Sequence, residues 1–499
     1  MRKLLLPLLV FALVLGSCQE DLTSLNEDPK GASDVPAEPL FSNALVNFGT
    51  LNTSVNYNRN IFKHMAQYWA QTTYNDESSY DLTDRSIPSN YWGIMYRDVL
   101  TDLQESSALV AQDELNYTDA QKQNMQAQID IVEVMTYYQL VTTFGNVPYS
   151  KAVDPNNPSP AYDGQTEIYS DLMSRLNTAI SNLDASAAGF SSSADVYYRG
   201  EVTAWQRFAN SLKMRMAMTV VDNPPSGIDP QAAVEDASPN AFTSNDDNLA
   251  LNFTSTPPHT NPVWEDVIQS GRDDFVPANT LIDEMNSLDD PRRPIHFTTI
   301  GGEYEGGLYG AQNDYSNYSH IKGPLIEPDF EGLLLGYEEV EFLRAEAAAR
   351  GWNVTGTAET HYNNAIEADM QYWSNASTEQ EITASDISTY QTQSDVLFPS
   401  GSTQVEQLKA IAEQKWLALY MQGQQAWIEW RRLDHPTFYY TDVDNDDVTS
   451  EDDIPVRFTY PVDEQNLNQA NWEEAASAIG GDETGTHLFW DVADASSVN

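Results

Sequence analysis

Cysteine is almost missing from this 499-residue chain, which has one, Cys18. A lone thiol has no internal partner, so the fold is not held by disulfides. Cationic residues are scarce too: 25 Lys plus Arg stand against 75 Asp plus Glu, a formal charge of −50 at pH 7. A surface this acidic repels phosphate backbones and anionic head groups, which argues against nucleic acid or a lipid surface as a partner. Signatures of catalysis are lacking as well. There is no G-x-S-x-G elbow, no phosphate-binding G-x-x-x-x-G-K-[ST] loop and no H-E-x-x-H, and the seven histidines are scattered without metal-ligand spacing. Acidic pairs such as Asp273-Asp274 and Glu338-Glu339 are the residue type of a glycosidase, but 75 acids produce such pairs by composition. The chain reads as a non-enzyme. No long Gly/Ser-rich or Pro-rich linker interrupts it after residue 40, which favours one large domain or two closely fused lobes.

What is present begins at the N-terminus. Arg2-Lys3 precedes the apolar run Leu4 to Leu15 and then small residues, the three-part layout of a secretory signal. The run is too short to span a bilayer comfortably. It ends in Leu15-Gly16-Ser17-Cys18, which resembles the bacterial lipobox, in which the cysteine is acylated and becomes the new N-terminus. Acyl chains bury at about 0.8 kcal/mol per methylene, so several on Cys18 anchor a protein without a spanning helix. Gln19-Glu20-Asp21 resembles the acidic signal that sends lipoproteins of Bacteroidetes-type bacteria to the outer face of the outer membrane. The expected organisation is a signal peptide at 1–17, a lipidated extended tether at 18–38 bearing Pro29, Gly31 and Pro36, and a domain at 39–499. Membrane contact is expected through the lipid alone. The dispersed acid and the scarcity of lysine suit a salty habitat, where screening relieves self-repulsion.

Past the tether the apolar pattern is helical. Met125, Ile129, Val132, Met135 and Leu140 recur at helical steps, as do Ile168, Leu172, Leu176, Ile180 and Leu183. Further amphipathic stretches run over about 202–221, 335–350, 358–373 and 404–431, while period-two alternation is rare. Successive helices with short turns predict a mostly α chain of stacked, TPR-like helical hairpins. Trp416, Trp427 and Trp430 fall at helical spacing and read as core. The segments 72–90, 222–262, 297–333 and 435–466 are long, poorly periodic and rich in Gly, Pro, Asn and Asp, the places where a helical scaffold carries binding residues.

Two of these loops combine aromatic rings with amides and carboxylates, the mixture that sugar recognition needs. Tyr74, Asn75, Asp76 and Tyr80 are the candidates in the first, Tyr309 and Tyr315 in the second; Trp69 and Trp92 read as core. A third segment, 442–453, places Asp442, Asp444 and Asp446 at positions 1, 3 and 5 and Asp453 at position 12 of an EF-hand-like loop, a spacing of hard oxygens that can wrap Ca²⁺. Against this, Asp447 stands where such a loop needs glycine, and a solvated acidic loop is the competing reading. No other cofactor is implied.

Several ordered blocks carry a family resemblance. They are Phe144-Gly145-Asn146-Val147-Pro148-Tyr149, then Trp205 through Arg215, Arg272-Asp273-Asp274-Phe275 and Asp290-Pro291-Arg292. Glu339 through Ala347 follows ahead of Arg350-Gly351, then Gln414-Lys415-Trp416, Met421 through Trp427, Glu429-Trp430-Arg431-Arg432, Ile454 through Arg457 and Tyr460-Pro461. Together, over about 40–491, they resemble the SusD/RagB family of outer-membrane nutrient-binding lipoproteins, in its SusD-like branch with glutamine-rich C-terminal helices. Where the broader family has Glu-Gly, this chain has Met421-Gln422-Gly423, a departure that puts its ligand in doubt. The resemblance implies an α-superhelix of TPR-like hairpins with a loop-rich lobe. It also implies cell-surface capture of an oligosaccharide and delivery to a SusC-like TonB-dependent barrel. A peptide ligand, or a TPR-like scaffold with no small ligand, are the alternatives.

Overall fold

The helix carrying the first periodic run starts and stops where side chains dictate. Thr118 accepts a hydrogen bond from the backbone N–H of Gln121 at 3.2 Å, and Asp119 places a negative charge in the first turn, where the helix dipole favours it. The helix runs Asp119–Phe144 and ends at Gly145, whose φ of +89° a side chain would strain. Asn146 then accepts from the N–H of Gln165 at 2.8 Å and so starts the following helix. In this way the Gly-Asn-Val-Pro-Tyr block turns one long helix into a hairpin.

The computed structural model describes residues 35–82 and 85–492, so Cys18, the signal and nearly all of the tether lie outside the described residues. From Ala37 onward the chain is mostly α. Successive helices pair: α1 (Ala37–Thr53) with α2 (Thr101–Gln112), and α3 (Asp119–Phe144) with α4 (Gln165–Asn182). They continue with α5 (Val202–Thr219) and α6 (Pro230–Ala237), α7 (Tyr337–Ala349) and α8 (Ala358–Ala376), and α9 (Gln404–Ala418) and α10 (Gly423–Leu433). This is the expected array of TPR-like hairpins. The periodic residues Met125, Ile129, Val132, Met135 and Leu140 are all buried, as are Trp69, Trp92, Trp416, Trp427 and Trp430.

The amphipathic stretch 404–431 is divided into two helices. Met421 sits at φ +76° between them, and a Cβ on Gly423 would lie 2.5 Å from the backbone N of Lys63. The second helix begins only where a glycine allows the chain to touch the Phe62–Lys63 backbone. The segment 222–262 also differs from a plain loop, since Pro230–Ala237 is helical with Asp229 as its N-cap. Strand is confined to two antiparallel pairs among the described residues: β1 (Trp69–Gln71) with β3 (Phe275–Pro277), and β2 (Leu249–Leu251) with β4 (Gly332–Leu335).

Buried charge clamps the helices. Arg215 on α5 donates to Glu339 on α7 at 2.8 Å. Arg432 on α10 reaches both oxygens of Glu346 on α7 at 2.7 Å, and Lys415 on α9 meets Glu429 on α10 at 2.9 Å. Arg344 donates to the carbonyls of Ser238 and Phe242. Removing one member of such a pair typically costs 3–5 kcal/mol because its partner is left buried and uncompensated. The glutamines act similarly: Gln424 donates to Thr143 at 2.9 Å, and Gln425 accepts from Tyr138 at 3.2 Å, tying α10 to α3.

Candidate ligand-binding site

The β1–β3 pair gathers the two aromatic loops. Immediately after β1, Thr72 donates to the carbonyl of Asp273, which immediately precedes Asp274 and β3, and Thr73 donates to Asp274 at 2.9 Å. From the other loop, Asn313 donates to the carbonyl of Gln71 at 2.9 Å. Tyr315 lies in this neighbourhood, its ring stacked on His320 at 3.8 Å and its hydroxyl pushed up by burial and by the charge of Asp273.

The centre of the face is a ladder of rings and guanidinium groups. The Arg85 guanidinium lies 5.0 Å from the ring centre of Tyr57 and 4.9 Å from that of Tyr74, a cation held between two π-faces. Glu77, fully buried, takes the charge of Arg85 from below, and Asp76 lies 3.5 Å from its other side. Gln71 fixes Glu77 through a 2.7 Å hydrogen bond. Next to this, Tyr57 donates to Asp274 at 2.9 Å and accepts from Arg272 at 3.1 Å. Burial, aided by Asp274, pushes the Tyr57 hydroxyl up to about 12, so it stays a donor at neutral pH. Burial alone would raise Asp274; bonds from Arg272, Thr73 and Tyr57 instead hold it below the usual carboxylate range.

Tyr74 caps the ladder at 58% exposure, the most exposed aromatic of the described residues. Its φ is +58°, uncommon for a residue with a bulky side chain and the sort of backbone strain that collects at binding sites. The fixed cation beneath a solvent-facing ring, with Asn75 and Asp76 following Tyr74 in the chain, offers an apolar plate bordered by amide and carboxylate groups. That arrangement can hold a sugar ring. Asp274 is engaged by Tyr57 and Arg272, while Glu338 and Glu339 are buried against Gln422 and Arg215. Neither acidic pair therefore offers two free carboxylates.

Two of the expected site tyrosines belong elsewhere. Tyr80 and Tyr309 are 6% and 0% exposed, with rings 5.9 Å apart in the core. The Tyr80 hydroxyl accepts from Gln67 at 3.0 Å and that of Tyr309 donates to the carbonyl of His64 at 2.7 Å. Both loops fold back at these rings, which fasten them to the body. Tyr57, Arg85 and Arg272 were not singled out from sequence as site residues. Loop position alone gave no signal, because Arg59, Arg199 and Arg457 also lie outside the helices.

The acidic segment joins the same face. Asn75 donates to Asp444 at 3.0 Å, Asn445 to the carbonyl of Ser79 at 2.9 Å, and the N–H of Asp444 to the carbonyl of Gly310 at 2.9 Å. Its carboxylates do not converge as a calcium loop requires. Asp453 accepts from the N–H groups of Thr449 and Ser450 and from the Ser450 hydroxyl, capping the short turn Glu451–Asp453, while Asp442 and Asp446 face solvent. A turn does form over Asp446–Asp447, closed by the N–H of Val448 on the carbonyl of Asn445 at 3.0 Å, but it leaves Asp442 and Asp446 exposed and Asp453 committed to its own cap. Among the described residues no group of three or more His, Cys, Asp or Glu is arranged to hold a metal.

A family model described as "Starch-binding associating with outer membrane" matches residues 29–461. The chain belongs to this SusD-like family. Solved structures agree in fold. A chitin-binding protein superposes with a TM-score of 0.79 at 24% identity, covering 92% of this chain and 100% of its own. A SusD homologue from Bacteroides uniformis gives 0.78 at 25% identity, covering 92% and 100%. A chitin-binding SusD homologue from Flavobacterium johnsoniae gives 0.78 at 24%, covering 91% and 98%. By sequence, no curated protein matches. The family description names starch binding and association with the outer membrane. No helix among the described residues is long and apolar enough to cross a membrane.

Proposed function

We propose that this SusD-like chain is a cell-surface lipoprotein, anchored through Cys18, that captures an oligosaccharide and passes it unaltered to a SusC-like TonB-dependent outer-membrane barrel. The observation that carries the ligand class is the exposed Tyr74 ring seated on the Arg85–Tyr57 stack and bordered by amide and carboxylate groups. A pyranose has one apolar face and a rim of hydroxyls, and this surface matches both. The starch-binding description of the family and the chitin-binding description of two structural relatives support the same class. The lipobox-like sequence and the acidic triplet after Cys18 support an outer-leaflet anchor. Tethering would hold the binding face at high local concentration beside its transporter.

Tyr74→Ala tests the face. Loss of a stacked ring removes about 0.5–1.5 kcal/mol, roughly a two- to twelvefold fall in affinity. Calorimetry with maltoheptaose and with a chitin hexasaccharide is expected to show that fall for whichever sugar binds, with an unchanged melting temperature. Unchanged affinity would move the ligand away from this face, and binding of peptides instead of sugars would reject the class. Cys18→Ala tests the anchor: the protein is expected to leave the membrane fraction and uptake to stop, while ligand affinity in solution stays the same.

A further inference from the structure

The polypeptide that carries Tyr315 and His320 runs on through Lys322 into the wall of a separate cavity of about 770 Å³, which the 72–81 loop does not line. Typical small-molecule sites span roughly 300–1,000 Å³. Its walls come from four places: Asn245, the end of β2 at Asn252, the segment 322–331 leading into β4, and the C-terminal end of α8 with residues 377–379. The β2–β4 register pairs Leu251 with Gly332, which sets Asn252 and Glu331 at the same end of the ribbon.

The floor is aromatic and fixed. Phe330, half-buried, lies 5.7 Å from Trp373 and 6.4 Å from Tyr372. Trp373 is held in turn by a 3.1 Å bond to Asp369 and by the edge-on ring of His296 at 4.4 Å, so the platform is continuous with the core. The rim is polar: Asn252 and Asn375 present exposed side chains, and the Tyr372 hydroxyl is turned to Glu331. Charge narrows the ligand class. Lys322 is the cation of the lining and is paired to Glu379 at 3.3 Å, while Glu327, Asp329 and Glu331 add negative charge. A sulfated, phosphorylated or uronic ligand would meet repulsion here. Among sugars this leaves uncharged and amino-bearing ones; the flat ring of Phe330 and the amide rim of Asn252 and Asn375 suit an uncharged pyranose, with one apolar face and many hydroxyls.

From this combination we infer that the cavity is a second carbohydrate cleft, which takes a neutral pyranose unit over Phe330 independently of the Tyr74 face. A glycan could then be held at two places on one chain, each cleft adding to retention.

Hydrogen–deuterium exchange of the purified protein in saturating maltoheptaose or chitin hexasaccharide separates the sites. The expected result is slowed exchange in 322–331 and 372–379 with at least one of the sugars, kept in Tyr74→Ala and lost in Phe330→Leu, which retains apolar volume but removes the flat ring. Asn375→Ala, at an exposed helical rim position where alanine changes stability little, is expected to weaken this second binding about fivefold, the loss of one hydrogen bond of about 1 kcal/mol. Protection of 72–81 alone would overturn the cleft and leave the Tyr74 reading standing. Protection of 322–331 that vanishes in Tyr74→Ala would overturn the independence claimed here. Protection at neither place with either sugar would overturn both. A uronic-acid oligomer that protects 322–331 better than the neutral sugars would overturn the ligand class.

Discussion

Glu338 is 1% exposed, and its carboxyl accepts from Gln422 at 3.0 Å. Burial, reinforced by the charge of Asp369, raises it from its ordinary 4.5 to about 8. At neutral pH the folded protein keeps a proton there that the unfolded chain has released. Stability from this group is thus complete below about pH 4.5 and is lost as the pH rises toward 8. Glu338→Gln, which mimics the protonated acid, should remove this slope, a difference of up to ~1.4 kcal/mol per pH unit between the two proteins. Denaturant midpoints from pH 5 to 8 measure it, and parallel curves would mean that Glu338 is ionised in the fold. The same contact gives a reason for Gln422, since a glutamate there would set a second carboxylate against the first. Single residues also show where sequence reading stops. Tyr74 and Tyr309 stand in similar Gly-, Asn- and Asp-rich loops, yet one faces solvent and the other the carbonyl of His64. Membership of a loop does not say which way a ring points.

Among the elements, helices were the most legible, because burial on one face imposes a 3.6-residue period that needs no knowledge of the partner. The break at 419–422 was hidden, because its cause is the Phe62–Lys63 backbone some 360 positions away. The site was legible in part for a similar reason. Both aromatic loops could be read as binding segments, but the Arg85 sandwich needs Tyr57 and Tyr74, and its neighbour Arg272 comes from a third segment. The joining of loops 302–320 and 439–447 was not visible either; it rests on Gly310, at φ +77°, where a Cβ would come within 2.6 Å of Val443. Gly310→Val should therefore part the two loops, with hydrogen exchange of 440–447 rising at least tenfold while the helices stay protected. Unchanged exchange at 440–447 would show that Asn75 and Asn445 hold the segment without help. A moderate fall in glycan affinity is expected alongside, because Ser79 also donates to the Gly310 carbonyl at 2.9 Å.

For the molecule as a whole, a formal charge of −50 sets the conditions under which the fold is most stable. Repulsion among exposed acids is screened over about 10 Å at 0.1 M salt and 3 Å at 1 M. The melting temperature is therefore expected to rise by several degrees between 0.05 and 1 M NaCl, and a flat or falling trend would show that the acids are already balanced locally. The buried pairs should respond little, being shielded from ions. Those pairs, Arg215 with Glu339 and Arg432 with Glu346, join α5, α7 and α10, and none includes a residue of the Tyr74 face. The charged clamps between the helices and the proposed ligand contacts thus draw on separate sets of residues. One set can change without loosening the other. A helical chassis locked in this manner could be refitted for a different ligand by changing the exposed positions of 72–81, 302–320 and 439–447 while Tyr80 and Tyr309 stay as the pins that seat the loops, much as a handle accepts new blades.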